Sequence, residues 1–449
     1  MTCRTLSLLL AALLLPALIG CGGGGSGPST PPAAVDLTAA LRTPWPTAPV
    51  AADAGTAAAL TLDENTPPQT LTQLRARLAY WTPTAAAHPD DSGAQLGLVL
   101  SLLEGAGRNA STQIGYDLFG GLTLHRLMQQ GLANGSGAGI LTSQALQVAA
   151  LSGLPQLQAD TVQTAAVNMP SPAQLALLQN SLRDYVIPVL DNAITRLGYL
   201  ASRADGSVVL APITYGGSPC HLYRVDAECL QGSLQRIRAL LVMVVGVNLN
   251  YGSFDWQASL GSRDANHDGV LTPGEYAPGA PFGDVAAALW QQAGTDMHDG
   301  SALILHSIQN HHATDSAELL VMQLRRIHEA DYTQLLTDTV AALAGPVTMT
   351  VVGANAAGAP QLTTSTPVNL RAMFATPPSS LRSILPTLNA VPAHPGQWAP
   401  VWDTFPSKTL MGLFSDQTKV KQLFADNHYA KCTFTYGAFS FALSVPIWL

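Results

Sequence analysis

From about residue 70 to residue 344 apolar residues recur every three or four positions, the period of a helix that buries one face. Leu71, Leu74, Leu78 and Trp81 mark one such face between Thr70 and Ala87. The run His88-Pro89-Asp90-Asp91-Ser92 then supplies a turn and an N-cap, and Leu96, Val99, Leu100 and Leu103 resume the pattern from Ala94. A longer pattern opens at Ser171-Pro172, with serine as N-cap and proline where its missing N–H costs nothing, and runs through Leu175, Leu178, Leu182, Val186, Leu190, Ile194, Leu197 and Leu200. Pro188 lies inside it and predicts a kink or a division of the helix there. Two further amphipathic helices are expected, over Val225–Val247 and over Ser301–Leu343, the second broken near Ala313-Thr314-Asp315.

Past Gly345-Pro346 the period changes. Val347-Thr348-Met349-Thr350-Val351-Val352 reads as a strand from its β-branched content, and Thr433–Leu449 as one or two more. Between them prolines are frequent, and Trp398, Trp402, Phe405 and Phe414 are too apolar for a free linker. The expected fold is therefore mainly α: antiparallel helical hairpins in a repeat-like bundle over 51–344, wrapped by a Pro-rich, partly β C-terminal arm over 345–449. The stretch Pro89–Leu98 resembles the junction between successive tetratricopeptide-type helices, although no 34-residue period recurs.

The N-terminus changes the picture from a free domain to an anchored one. Arg4 precedes an apolar run from Leu6 to Ile19, interrupted by Ser7 and Pro16, which has the form of a secretory signal over 1–20 and is too short to span a bilayer. It ends Leu18-Ile19-Gly20-Cys21, which resembles a bacterial lipobox and makes Cys21 the expected site of lipidation. The glycines from Gly22 to Gly25 and the Ser/Pro/Thr residues after them read as a flexible tether, taken here as 21–50. Residue 22 is glycine where the inner-membrane retention cue is an aspartate, so the expectation is a cell-envelope protein held at the outer membrane through its N-terminal lipid. Without Arg4 the mature chain carries 20 basic and 29 acidic residues, a balance that excludes nucleic acid as a partner. Only 11% of residues are charged, so a protein or a small apolar ligand is the partner that the surface suits.

One stretch carries a specific chemistry. Calcium takes six to eight oxygen ligands, and the EF-hand loop gathers them from positions 1, 3, 5, 7, 9 and 12 of a twelve-residue turn. Starting at Asp264 those positions are Asp264, Asn266, Asp268, Val270, Thr272 and Glu275, with Gly269 at the sharp turn and Leu271 as an apolar anchor. Val270 would contribute its backbone carbonyl, and Thr272 its hydroxyl directly or through water. Pro273, Gly274, Pro278, Gly279 and Pro281 leave room for only a short exit helix, and the chain holds one such loop where sensor hands come in pairs. The reading is a structural calcium site. An ion-free, Asx-rich surface turn is the alternative.

Other chemistry is sparse. There is no G-x-S-x-G, H-E-x-x-H, Walker A or C-x-x-C motif. His298, His306, His311, His312, Asp315 and Glu318 cluster in sequence, with His311, Asp315 and Glu318 on one face if helical; a solvated helix end competes with a transition-metal or acid/base site. Cys220 and Cys229 are spaced for a disulfide in an oxidising compartment, leaving Cys432, with buried thiols as the alternative.

Leu182–Ile194, the helix opened by Val225-Asp226-Ala227-Glu228 and closed by Asn248-Leu249-Asn250-Tyr251, Val368–Phe374 and Leu381–Pro386 together resemble a group of uncharacterised bacterial lipoproteins with an all-helical, repeat-like body and an extended tail. The resemblance spans most of 170–415 and implies no activity. The function expected is that of a calcium-binding, lipid-anchored binding or scaffold module. The alternatives are an accessory component of solute or lipid transport and a hydrolase built on the histidine cluster.

Overall fold

The computed structural model describes residues 35–44, 60–62, 71–114, 172–203, 209–215, 218–255, 258, 260–310, 333–334, 336–354, 360–390, 398–401, 404, 412–418, 430–436 and 439–445. They form a mainly α fold. In chain order the elements are α1 (Thr38–Leu41), β1 (Leu60–Leu62), α2 (Leu71–Ala87), α3 (Ser92–Ile114), α4 (Pro172–Ser181), α5 (Ile187–Arg203), β2 (Val209–Tyr215), β3 (Ser218–Tyr223) and α6 (Arg224–Val245). Then come β4 (Val270–Leu271), α7 (Pro273–Tyr276), α8 (Ala287–Asn310), β5 (Val347–Ala354), β6 (Pro360–Val368), α9 (Leu370–Ala375), β7 (Leu388–Ala390), β8 (Trp398–Pro400), β9 (Ala430–Tyr436) and β10 (Phe439–Val445). A further helix covers 336–344. No helix among the described residues is long and apolar enough to cross a membrane.

Helices α1 to α8 all contribute to one main core, to which the stripes of α2 to α5 supply much, while most of the buried face of α8 packs in two smaller clusters with Leu336 and Leu343. Leu74, Leu78 and Trp81 of α2 meet Leu96, Val99 and Leu102 of α3, and these join Leu178, Val186, Leu190 and Leu197 of α4 and α5. Asp91 caps α3, its carboxylate accepting from the Ala94 N–H at 3.0 Å. Helices α4 and α5 are joined end to end through a π-helical turn, Leu182–Val186. Its position follows from Pro188, which lacks an N–H and whose ring crowds the carbonyl four residues back; widening the turn just before it removes the clash without ending the helix.

Helix α8 begins at Ala287, fourteen residues before the expected start at Ser301. Its buried face, Trp290, Ala293, Met297, Gly300, Ser301, Ile304 and Ile308, keeps the helical period but is rich in small residues, so apolar patterning undercounts it. Those small residues have a purpose against α6. A Cβ added to Gly300 would stand 2.5 Å from the carbonyl oxygen of Gly232, and one on Gly232 as close to that of Gly300, so the two backbones touch. Arg238 of α6 pairs with Asp191 of α5 and with Asp296 of α8, tying the three helices together at the edge of the contact. Burial raises the Asp296 carboxyl above its ordinary range, and Arg238 pulls it back.

Residues 35–44, expected as part of the tether, are folded instead. Val35, Leu37 and Ala40 are buried in the core. The Val35 N–H donates to the Asn109 amide oxygen at 2.7 Å, and that amide returns a hydrogen bond to the Val35 carbonyl at 2.8 Å. Three residues of α1's neighbourhood are read by one buried cation and its helper: Asn192 donates to the Leu41 carbonyl at 3.2 Å, and Arg196 to those of Thr43 at 2.7 Å and Pro44 at 3.4 Å. The apolar residues here are too few and too interspersed with polar ones to reveal the docking from sequence.

Among the described residues three small sheets flank the helices. β1 runs parallel to β2, and β2 pairs antiparallel with β3, an unexpected hairpin whose strands are separated by Gly216-Gly217. β5 pairs with β6 and β9, and β9 with β10, giving the order β10-β9-β5-β6. The third sheet, β4-β7-β8, joins a strand of the Asp264 loop to residues more than a hundred positions later.

Candidate metal centre

The loop from Asp264 to Glu275 is shaped by its own polar side chains. The Asp264 carboxylate is buried and accepts from the Gly269 N–H at 2.9 Å and the Asp268 N–H at 3.2 Å, drawing the turn around its first residue. The Asp268 carboxylate accepts from the Val270 N–H at 2.8 Å and from the Asn266 amide at 2.9 Å. These bonds bend the chain so tightly that His267 and Gly269 both take positive φ, 56° and 75°. Glycine adopts that conformation without penalty, and a side chain at position 269 would be strained there.

At the loop's exit, Thr272 and Glu275 form a reciprocal cap on α7, with the Thr272 N–H and hydroxyl both donating to one Glu275 carboxylate oxygen at 2.8 Å. Pro273 occupies the first helical position and α7 is only four residues long, as the prolines after it require. Arg263, just before the loop, lies over the Phe254 ring with its guanidinium carbon 4.0 Å from the centroid and donates to the Asp255 carbonyl.

A segment that sequence reasoning did not connect to the loop holds it from outside. Val270 pairs with Asn389 and Leu271 with Leu388 in an antiparallel register, and the Ala390 N–H donates to the Gly269 carbonyl at 2.8 Å. Tyr276, fully buried, donates its hydroxyl to the Pro386 carbonyl at 2.5 Å, and burial pushes its phenol well above the ordinary range. Leu271, Tyr276, Leu385, Leu388 and Trp398 belong to the main core. Leu388 and Trp398 sit in a Pro-rich stretch with no periodicity to signal a partner, so only the fold brings them here.

As a cation site the loop has the donor chemistry that calcium takes: carboxylates of Asp264, Asp268 and Glu275, the Asn266 amide oxygen, the Thr272 hydroxyl and the Val270 carbonyl, all hard oxygens and none of them nitrogen or sulfur. The three carboxylates do not converge as a group. Among the described residues no set of three His, Cys, Asp or Glu side chains is placed to hold a metal, because each loop carboxylate is turned onto N–H or O–H donors. Three like charges in one turn favour that arrangement unless a cation draws them inward.

Of the histidine cluster, His298 and His306 are described. His298 is paired with Asp299 at 2.9 Å, and His306 with Asn310 of its own helix at 2.9 Å, both at the surface. His311, His312, Asp315 and Glu318 lie outside the described residues, as do Cys21 and the side chains of Cys220 and Cys432. Cys229 is buried on α6, its thiol 3.7 Å from the Ser307 hydroxyl of α8. A cleft of about 690 Å³ opens between the start of α4, the end of α6 and residues 284–286, lined by Pro172, Ala176, Gln179, Val245, Asn248 and Asp284 among others. Gln179, one of its lining residues, donates to the Val244 and Val247 carbonyls at 2.8 and 2.6 Å, at the C-terminal end of α6 and just past it. Set against known proteins, the chain matches no family model, no curated protein and no solved structure.

Proposed function

We propose that this chain is a calcium-binding, lipid-anchored helical protein of the cell envelope, held at the outer membrane through Cys21 and acting as a binding or scaffold module. The observation that carries the calcium reading is the Asp264–Glu275 loop. Its six ligand positions match the EF-hand pattern, and its backbone already takes the left-handed turn at Gly269 that the pattern needs. The ion would brace the long connection between α6 and α8. The hairpin of α2 and α3 supports a repeat-like body, and the strands beyond Val347 support an extended, partly β arm. The cleft beside α4 is the feature that favours the second reading, an accessory component of a solute or lipid transport system.

Thermal unfolding of residues 22–449 in chelator and in about 2 mM calcium tests the first reading. An affinity near ~0.1 mM gives roughly 1.8 kcal/mol of stabilisation by linkage. Asp264→Ala should abolish that increment. The variant also loses the acceptor for two backbone N–H groups, so it melts lower in both buffers, and the calcium-dependent difference is the quantity to compare. Equal melts with and without calcium in the unmodified chain would remove calcium from the reading.

A further inference from the structure

We infer that calcium at the Asp264 loop regulates how firmly the segment 379–390 is docked on the helical body, and that this docking in turn sets the calcium affinity. The inference rests on the calcium reading above and goes beyond it, because it concerns residues that are not ligands.

The segment is sewn to the stretch 269–285 by backbone bonds along its length. Val285 donates to the Ser379 carbonyl at 2.9 Å, Leu381 to that of Gly283 at 2.8 Å, and Ala390 to that of Gly269 at 2.8 Å. Strands β4 and β7 add the Val270–Asn389 and Leu271–Leu388 pairs. The Tyr276 hydroxyl reaches the Pro386 carbonyl from the middle. Leu381, Leu385 and Leu388 fill the core beside Leu271, Tyr276 and Phe282.

These contacts meet the ion's ligands at both ends of the loop. Val270, whose carbonyl is the seventh-position ligand, is itself a residue of β4, so the direction of that carbonyl depends on the pairing with β7. Glu275 immediately precedes Tyr276 on the single turn of α7. Its carboxylate caps Thr272 here, and drawing it onto a cation would release that cap on the same single turn whose Tyr276 phenol is anchored at Pro386. A loop in a paired hand rests its short strand against a second loop; in this chain β7 provides that support. Two events that share the same strand and the same turn are coupled, and coupling is reciprocal: the factor by which calcium strengthens docking is the factor by which docking strengthens calcium binding.

Hydrogen exchange of a peptide covering 380–390, followed in chelator and in about 2 mM calcium, reads one direction of the coupling. Calcium titration of Ala390→Pro and Tyr276→Phe reads the other. The first variant removes the N–H given to Gly269, the second the hydroxyl given to Pro386, and neither removes a ligand. Exchange at Ala390 should slow about fivefold with calcium, and both variants should bind calcium about fivefold more weakly. If circular dichroism shows Ala390→Pro unfolded, Tyr276→Phe decides the second arm alone. Calcium uptake by the unmodified chain, with exchange and variant affinities unchanged, overturns the coupling and leaves the calcium site standing. No uptake at millimolar calcium overturns the site itself, and the coupling with it.

Discussion

Arg196 and Asp264 are both charged and both buried, and they are satisfied in opposite ways. The Arg196 guanidinium, wholly buried on α5, is met by one oxygen of its own helix, the Asn192 amide at 2.8 Å, and by oxygens from two distant parts of the chain: the Gln95 amide at 2.5 Å on α3, and the Thr43 and Pro44 carbonyls beside α1. The Asp264 carboxylate is met by N–H groups four and five residues along the same loop. The first arrangement exists only if three segments have already assembled; the second forms as soon as the chain bends. Burial lowers the Arg196 guanidinium to about 10, still far enough above neutrality for the cation to persist and hold those carbonyls. Non-local satisfaction ties the fold together, while local satisfaction shapes a site.

If that distinction is right, removing the non-local charge should cost most. Arg196→Met leaves the Thr43 carbonyl and the Gln95 amide buried without their donor and should lose about 4 kcal/mol, read from the urea midpoint. Amide exchange in 35–44 should rise in the same variant. A loss below about 1 kcal/mol would mean that α1 docks by its apolar residues alone.

Glu104 is an intermediate case, paired with Arg77 across the α2–α3 hairpin at 3.0 Å. Burial raises its carboxyl from 4.5 to about 7, against the opposing pull of Arg77. The folded state therefore binds this proton more tightly than the unfolded chain, so the stabilisation is complete below about pH 4.5 and is lost as pH rises through about 7. Glu104→Gln should remove that dependence and gain about 2 kcal/mol at pH 8 over the unmodified chain, with no gain at pH 4. Urea midpoints at both pH values check it; an equal change at both would assign the effect to packing.

The smallest effect is expected from the local site. Thr272→Val removes the hydroxyl half of the Thr272–Glu275 cap and should cost about 1 kcal/mol in chelator. Amide exchange of 35–44 should not change. If exchange there rises as well, the loop and the helical body are not separable in the way that the comparison implies.

The legible and illegible parts divide along the same line. The stripes of α2, α3, α4, α5 and α6 could be read because each contributes leucines and valines at a regular period, and Pro188 announced an irregularity that the structure resolves as a π turn. Apolar patterning places the start of helix α8 fourteen residues late because its buried face uses Ala293, Gly300 and Ser301, which no hydrophobic period detects. The hairpin of β2 and β3 has only a weak signal in the sequence, Gly216-Gly217 between two runs rich in strand-forming residues. Residues 35–44 carry no sequence sign of being folded, since Val35, Leu37 and Ala40 gain their significance only from the core that receives them.

By itself the sequence determined the helical body, the strand that begins at Val347 and those near the C-terminus, and the tight turn at Gly269. All of these rest on residues within a few positions of one another, where chain geometry alone brings side chains together. Tertiary structure alone decided that α1 is clamped by Arg196, that Gly232 and Gly300 let two helices touch, and that Leu388 and Asn389 supply the strand beside the loop. Those contacts join residues separated by about seventy to a hundred and fifty positions. Burial of a shared core selects such pairings, and no local pattern encodes them.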